Sequence, residues 1–137
     1  LAHRASFFSS PGGGPVSCEV GLAVLDAIAA DRLQENAASV GGRLKNELLA
    51  LAERHLAIGA IHGRGLYLGV DLVGDRESKA PDRRLARAAC ERMRRLGVVV
   101  QPTGDAGNVL KVRPPLVFQR EHADLLLQAL DEVLASS

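Results

Sequence analysis

Residues Val16 to Ala30 constrain this chain more than any other stretch. Pro15 stands just ahead of them, at a first helical position where its missing N–H costs nothing and its φ is preset. Val16, Cys18, Val20, Leu22, Ala23, Val24, Leu25, Ala27 and Ile28 then make the predicted helix apolar on nearly every side. A helix that is apolar all round is buried all round. With 137 residues in total, that burial calls for a second body, either more chain or a partner.

The remaining periodicities describe a compact layer. Leu33, Ala37, Val40, Leu44, Leu48 and Leu51 recur at spacings of three and four, which predicts an amphipathic helix from about Leu33 to His55. In "IGAIHGRGLYLGVDLV", Leu66, Leu68, Val70 and Leu72 alternate with Tyr67, Gly69, Asp71 and Val73. Period two over such a run means a strand with one buried face. Ile58 to His62 reads as a shorter strand before it, with Gly63-Arg64-Gly65 as the turn. "GDRESKAPD" reads as a polar loop. Asp82 to Leu96 reads as an Arg-rich amphipathic helix with Leu85, Ala89, Met93 and Leu96 inward, stopped by Gly97.

Val98 to Val100 and Val109 to Arg113 read as short strands, the second ended by Pro114-Pro115. Joined through "QPTGDAGN", they are expected to pair antiparallel. A last helix runs from about Glu121 to Leu134, with Ala123, Leu126, Leu127, Leu130 and Val133 inward. The fold class is therefore α+β: an antiparallel sheet of about four strands with helices on one face, preceded by a long linking helix. The division is 1–14 loop, 15–56 linking helices and 57–137 small α+β domain.

Bulk properties exclude several functions. Seventeen basic against 16 acidic side chains give a net charge of +1, which recommends neither nucleic acid nor an anionic membrane as partner. No apolar run approaches the roughly 20 residues that span a bilayer. Aromatic content is 3%, too little for a base-stacking platform. Cys18 and Cys90 have no metal-ligand spacing; both are expected to be buried free thiols, which suits a reducing cytoplasm. The opening Leu-Ala-His-Arg carries neither an initiator Met nor a signal peptide, so the chain reads as a piece of something longer.

Two stretches carry candidate chemistry. "FFSSPGGGPVSC" sets three glycines and two serines ahead of the first helix. It lacks the lysine of a Walker loop and the preceding strand of a dinucleotide fold. Either the glycines only turn the chain into Pro15, or Ser9, Ser10 and free backbone N–H groups offer donors to a phosphate supplied from elsewhere. In "NVLKVRPPL", Lys111 and Arg113 share one strand face, about 7 Å apart. That face is either solvated or a clamp for a carboxylate or phosphate. The histidines are weak signals: His55 ends a helix, His62 sits by a turn, and His3 and His122 are expected at the surface. Lys45 and Lys79 lie on a helix surface and in a loop, without the desolvation that activates an amine.

Three blocks, in order, resemble the class III aminotransferases. "FFSSPGGGPVSCEVGLAVLDAI" is similar to their F-x-T-[FY]-G-G-N-P-x-[AS]-C-x-x-[AG]-L-A-x-L segment, and "IGAIHGRGLYLGVDLV" to their I-G-D-x-R-G-x-G-L-x-x-G-[IV]-E-L segment. "GNVLKVRPPLVFQREHADLLLQALDEVL" resembles their closing strand and helix. The resemblance implies the C-terminal portion of a homodimeric, pyridoxal-phosphate-dependent enzyme of fold type I, which transfers amino groups through a Schiff base. It implies as partners the missing N-terminal large domain, a second subunit and a small-molecule amine or amino acid.

The resemblance also assigns residues. In the family a Thr of this loop reaches the cofactor phosphate of the other subunit; Ser10 stands at that position, with Ser9 beside it, and keeps a hydroxyl. Pro11 replaces the usual aromatic residue and restricts Ser10 to extended conformations. Gly14 replaces the usual Asn. Lys111 stands where many members place an Arg that pairs with the substrate's α-carboxylate, and a lysine lacks the bidentate fork. The wording is especially similar to the ethanolamine-phosphate phospho-lyase branch. None of Lys45, Lys79 and Lys111 matches the Schiff-base lysine, so the chain alone is expected to be inactive. A stand-alone α+β binding or dimerisation module remains the reading from another class.

Overall fold

The computed structural model describes residues 8–10 and 12–136. Expectations for residues 1–7, among them a surface His3, and for Pro11 lie outside these. The described residues fall into two compact units, divided between Leu33 and Gln34.

The first unit is dominated by helix α1, Pro15–Ala30, with Gly14 as N-cap and Pro15 in the first turn. None of its residues is buried. Val16, Val20, Leu22, Val24 and Leu25 each expose more than half of their surface. Cys18, expected to be buried, is exposed, as befits a helix none of whose residues is buried.

The second unit holds the core. Helix α2 (Leu33–Arg54) buries Val40, Gly41, Leu44, Leu48, Leu51 and Ala52, the stripe its spacing predicts. Strand β1 (Ile58–Arg64) pairs antiparallel with β2 (Tyr67–Asp75). The hairpin turn is tighter than the sequence suggests: Gly63 and Arg64 stay in β1, opposite Leu68 and Tyr67, leaving Gly65-Leu66 as the turn. Gly65 takes a left-handed φ of 57°, which glycine adopts at little cost. A Cβ on Gly41 would lie 2.2 Å from the Gly65 carbonyl, so helix and hairpin tip touch backbone to backbone.

The polar loop after β2 contains a further short strand, β3 (Ala80–Pro81), paired with β2. Helix α3 (Arg83–Arg95) is capped by Asp82, whose carboxylate accepts the Leu85 N–H at 2.8 Å. Ala86, Ala89 and Met93 are buried, whereas Leu96 is the C-cap and is exposed, since the chain turns away there through Gly97 at φ 85°. Cys90, also expected to be buried, is only half-buried; that partial burial still pushes its thiol pKa up.

Strand β4 is Gln101–Thr103 rather than Val98–Val100. The Val98 N–H is taken by the Met93 carbonyl at 2.9 Å, and the ladder to β5 (Val109–Val112) begins only at Gln101 opposite Lys111. β-branched composition alone does not make a strand when the backbone is engaged elsewhere. Pro102 is tolerated because β4 is an edge strand. Helix α4 (Arg120–Ala135) buries Ala123, Leu126, Leu127, Leu130 and Val133 as expected.

The sheet order is β1-β2-β5-β4, all antiparallel, with β3 against β2. Residues of α2, α3 and α4 join Leu68, Val70, Leu72, Leu110 and Val112 in one apolar cluster. The α+β architecture predicted from the sequence is the one observed. Asn108, 7% exposed, extends the β2–β5 seam: its side-chain amide and its carbonyl both bond Leu72, at 2.9 Å each.

Candidate functional site

The core cluster takes every second residue of β2 and β5, so the alternate residues form an outer face. Cross-strand register fixes what meets there. His62, Gly69, Lys111 and Gln101 form one row across the four strands, and Ala60, Asp71, Val109 and Thr103 the next. Arg64 lies opposite Tyr67. Arg113, just beyond β5, sets its guanidinium carbon 5.9 Å from the centre of the Tyr67 ring, a cation–π contact.

The two cations expected on one strand face are thus brought together. Lys111 is half-buried and Arg113 exposed. The Lys111 side chain has no hydrogen-bond or ion-pair partner among the described residues. It borders two hollows: one of about 520 Å³ shared with Arg113, Phe118 and His122, and one of about 220 Å³ over Gly69. A lysine on such a half-dry surface is a ready contact for an anion.

Sequence reasoning passed over His62. Its Nε2 lies 2.9 Å from Asp71 Oδ2, and it stands across Gly69 from Lys111. Counting register outward from Gly65 would have found that row. Asp71 Oδ1 is buried with no hydrogen-bond partner among the described residues.

His55 and His122 have structural roles. His55 Nε2 lies 2.5 Å from Asp131 Oδ1, and Arg54 adds a 3.1 Å contact to the same carboxylate. The His55 hydrogen bond chiefly, with Arg54 helping, holds the Asp131 carboxyl below the usual range. His122 is exposed, and its Nδ1 accepts the Gln119 N–H at 3.0 Å in a capping box. Lys45 donates to the Gly63 carbonyl at 2.9 Å, and Lys79 lies just before β3 in a left-handed conformation, φ 52°.

Ser9 and Ser10 belong to the first unit. Ser9 is half-buried and Ser10 exposed. The Gly12 N–H donates to the Ser9 carbonyl at 3.2 Å, and the helix ladder begins with Cys18 N–H to the Gly14 carbonyl at 3.0 Å. Val16 and Ser17 N–H groups therefore point out of the helix start without intrahelical partners. Gly14 supplies no side-chain cap. The Ser9 and Ser10 hydroxyls precede these free amides in the chain, and hydroxyl and amide donors ahead of a helix N-terminus are the chemistry that suits a phosphate, the anionic group of pyridoxal phosphate included. Among the described residues no group of three His, Cys, Asp or Glu side chains could hold a metal ion. No helix among them is long and apolar enough to cross a membrane.

Known proteins bear on this geometry. The family Aminotransferase class-III matches residues 5–134. The chain is 46% identical, over 93% of its length, to the mitochondrial alanine–glyoxylate aminotransferase 2 homolog 2 of Arabidopsis thaliana. Among solved structures, a phospholyase from Arthrobacter in complex with phosphoethanolamine superposes with a TM-score of 0.90 at 40% identity, over 99% of this chain. An amine transaminase from an uncultivated Pseudomonas species, in its PLP-bound form, superposes at 0.86 with 34% identity over 98% of this chain. With these likenesses spanning nearly its whole length, the chain belongs to the class III aminotransferases. It spans 27% of the Arabidopsis relative, 32% of the Arthrobacter chain and 30% of the Pseudomonas chain.

Proposed function

We propose that this chain is the C-terminal part of a pyridoxal-phosphate-dependent class III aminotransferase, working with a large domain and as one subunit of a homodimer. Residues 1–14 are the cofactor and dimer loop, 15–56 the linking helices and 57–137 the small domain. The cofactor supplies electron withdrawal at the carbon bearing the amine. Ser10, with Ser9 beside it, donates hydroxyl hydrogen bonds to its phosphate across the subunit boundary. Lys111 and Arg113 orient an anionic group of the amine substrate. The free thiols of Cys18 and Cys90 suit a cytoplasmic setting.

The observation that carries the reading is Lys111: a half-buried cation with no partner among the described residues, on the open face of a sheet whose other face is the core. The same residue favours a second reading, elimination of phosphate from a phosphorylated amine. A lysine serves a phosphoryl group as a point charge and forgoes the bidentate grip an arginine gives a carboxylate. The likeness to the phosphoethanolamine-bound phospholyase supports it.

A full-length protein containing this chain, incubated separately with amino donors plus a keto acid and with phosphoethanolamine, distinguishes the two. Amine exchange without phosphate release supports the aminotransferase. Phosphate release without exchange replaces it with the phospho-lyase, and neither activity defeats both. In that protein Ser10→Ala weakens cofactor affinity about tenfold, the value of one charge-assisted hydrogen bond. Lys111→Ala raises KM more than it lowers kcat.

A further inference from the structure

The row His62–Gly69–Lys111 places two side chains that can carry positive charge on either side of a residue with no side chain. The strand spacing sets their Cα atoms roughly 10 Å apart. Between them lies the hollow of about 220 Å³, whose lining includes Tyr67, Thr103 and Val109. The hollow depends on Gly69: a Cβ there would come 3.0 Å from Val109 Cγ1 and 3.9 Å from His62 Cβ. Charge-assisted bonds of about 2.8 Å from each side would take up much of that gap around a tetrahedral anion.

We propose that His62 and Lys111 form a two-point subsite for a phosphoryl dianion over Gly69. The inference rests on the reading of Lys111 as a substrate-facing cation and adds His62 as the second contact. Asp71 occupies His62 Nε2, which leaves Nδ1 as the nitrogen open to a ligand. Nδ1 donates a hydrogen bond only when the ring is protonated, because Asp71 already takes the proton on Nε2. For an anion that keeps both charges, the subsite therefore strengthens as pH falls, and such an anion bound there draws a proton onto His62.

The surroundings favour an anion. Around His62 stand Arg64 on its own strand, Asp71 and Tyr67 on β2, and Lys111 and Arg113 on β5, while β4 contributes only Gln101 and Thr103. By register Arg64, Lys111 and Arg113 share this face of the sheet with Asp71, and Lys45 of α2 holds the Gly63 carbonyl next to His62. A dianion suits this field better than a monoanion, and a tetrahedral group reaches both flanking side chains.

All the lining residues belong to one sheet, so the 137-residue chain serves for the test. Inorganic phosphate is titrated at pH 6 and pH 8, at constant ionic strength set with chloride, following side-chain resonances of His62 and Lys111 by NMR. The proposal expects the phosphate dianion, counted as the doubly deprotonated fraction at each pH, to bind at least threefold more tightly at pH 6. His62→Gln and Lys111→Gln, each with an otherwise unchanged backbone spectrum, lower phosphate affinity about tenfold. Arg84→Gln, on α3, leaves it unaltered. Binding unchanged in His62→Gln, equal binding of acetate, or phosphate shifts centred on the arginines of α3 would overturn it. Its failure is separable from that of the proposed function. Phosphate held here in a protein without amine chemistry leaves the subsite standing, and amine chemistry with no phosphate at His62 leaves the function standing.

Discussion

Helix α1 and helix α2 follow one another directly in the chain, yet they treat their apolar residues in opposite ways. Helix α2 has one stripe, and Leu44 and Leu48 within it are 0% exposed. Helix α1 is the more apolar, and none of its residues is buried. Apolar content does not by itself bury a helix; the second surface does. Helix α2 shares one apolar cluster with the sheet, α3 and α4 of its own unit. The exposed valines and leucines of α1 form the kind of apolar patch that marks an interaction surface. The proposed large domain and second subunit would supply the cover.

Substitutions test this contrast, and the largest effect belongs to the buried stripe. Leu48→Ala is expected to lower unfolding free energy by about 3 kcal/mol, the transfer term plus the cavity, measured by urea denaturation. Gly41→Ala follows, at about 2 kcal/mol, because its Cβ meets backbone that cannot rotate away. Leu25→Ala in α1 changes stability by less than about 0.5 kcal/mol in the chain alone. A loss as large as that of Leu48→Ala would break the comparison, by showing that α1 is packed after all.

Acid gives a smaller effect, confined to the second unit. The Asp131 pKa is depressed in the folded state, so its pairing with His55 and Arg54 stabilises above the ordinary aspartate range. That contribution disappears as pH falls through the folded value. For so exposed a carboxylate it amounts to less than about 1 kcal/mol. Asp131→Asn should flatten the acid limb of the stability profile, and an unchanged limb would remove the pairing from the account. For the catalytic reading, the chain alone mixed with pyridoxal phosphate is expected to give no borohydride-trappable adduct at a unique lysine, which mass spectrometry would detect.

Much of the second unit was legible from period alone. The α2 stripe, the Leu66–Leu72 alternation and the α4 face repeat often enough for local pattern and global burial to agree. What was missed depended on partners that a local window does not contain. Val98 to Val100 have strand composition, but the Val98 N–H closes the end of α3. The Ala80–Pro81 strand is too short to show any period. Lys111 and Arg113 were legible because they are neighbours two residues apart. His62 and Lys111 are 49 positions apart in the sequence and meet only through β2, so no local pattern announces them.

The contact of Gly41 with Gly65 reaches beyond its own energy. Main chain lies against main chain there, with no flexible side chain between to absorb a shift. In a library holding all twenty amino acids at position 41, selection for folded protein should return almost nothing but glycine. The hairpin bearing His62 and Arg64 consequently inherits its aim from a helix whose own residues never enter the proposed subsite.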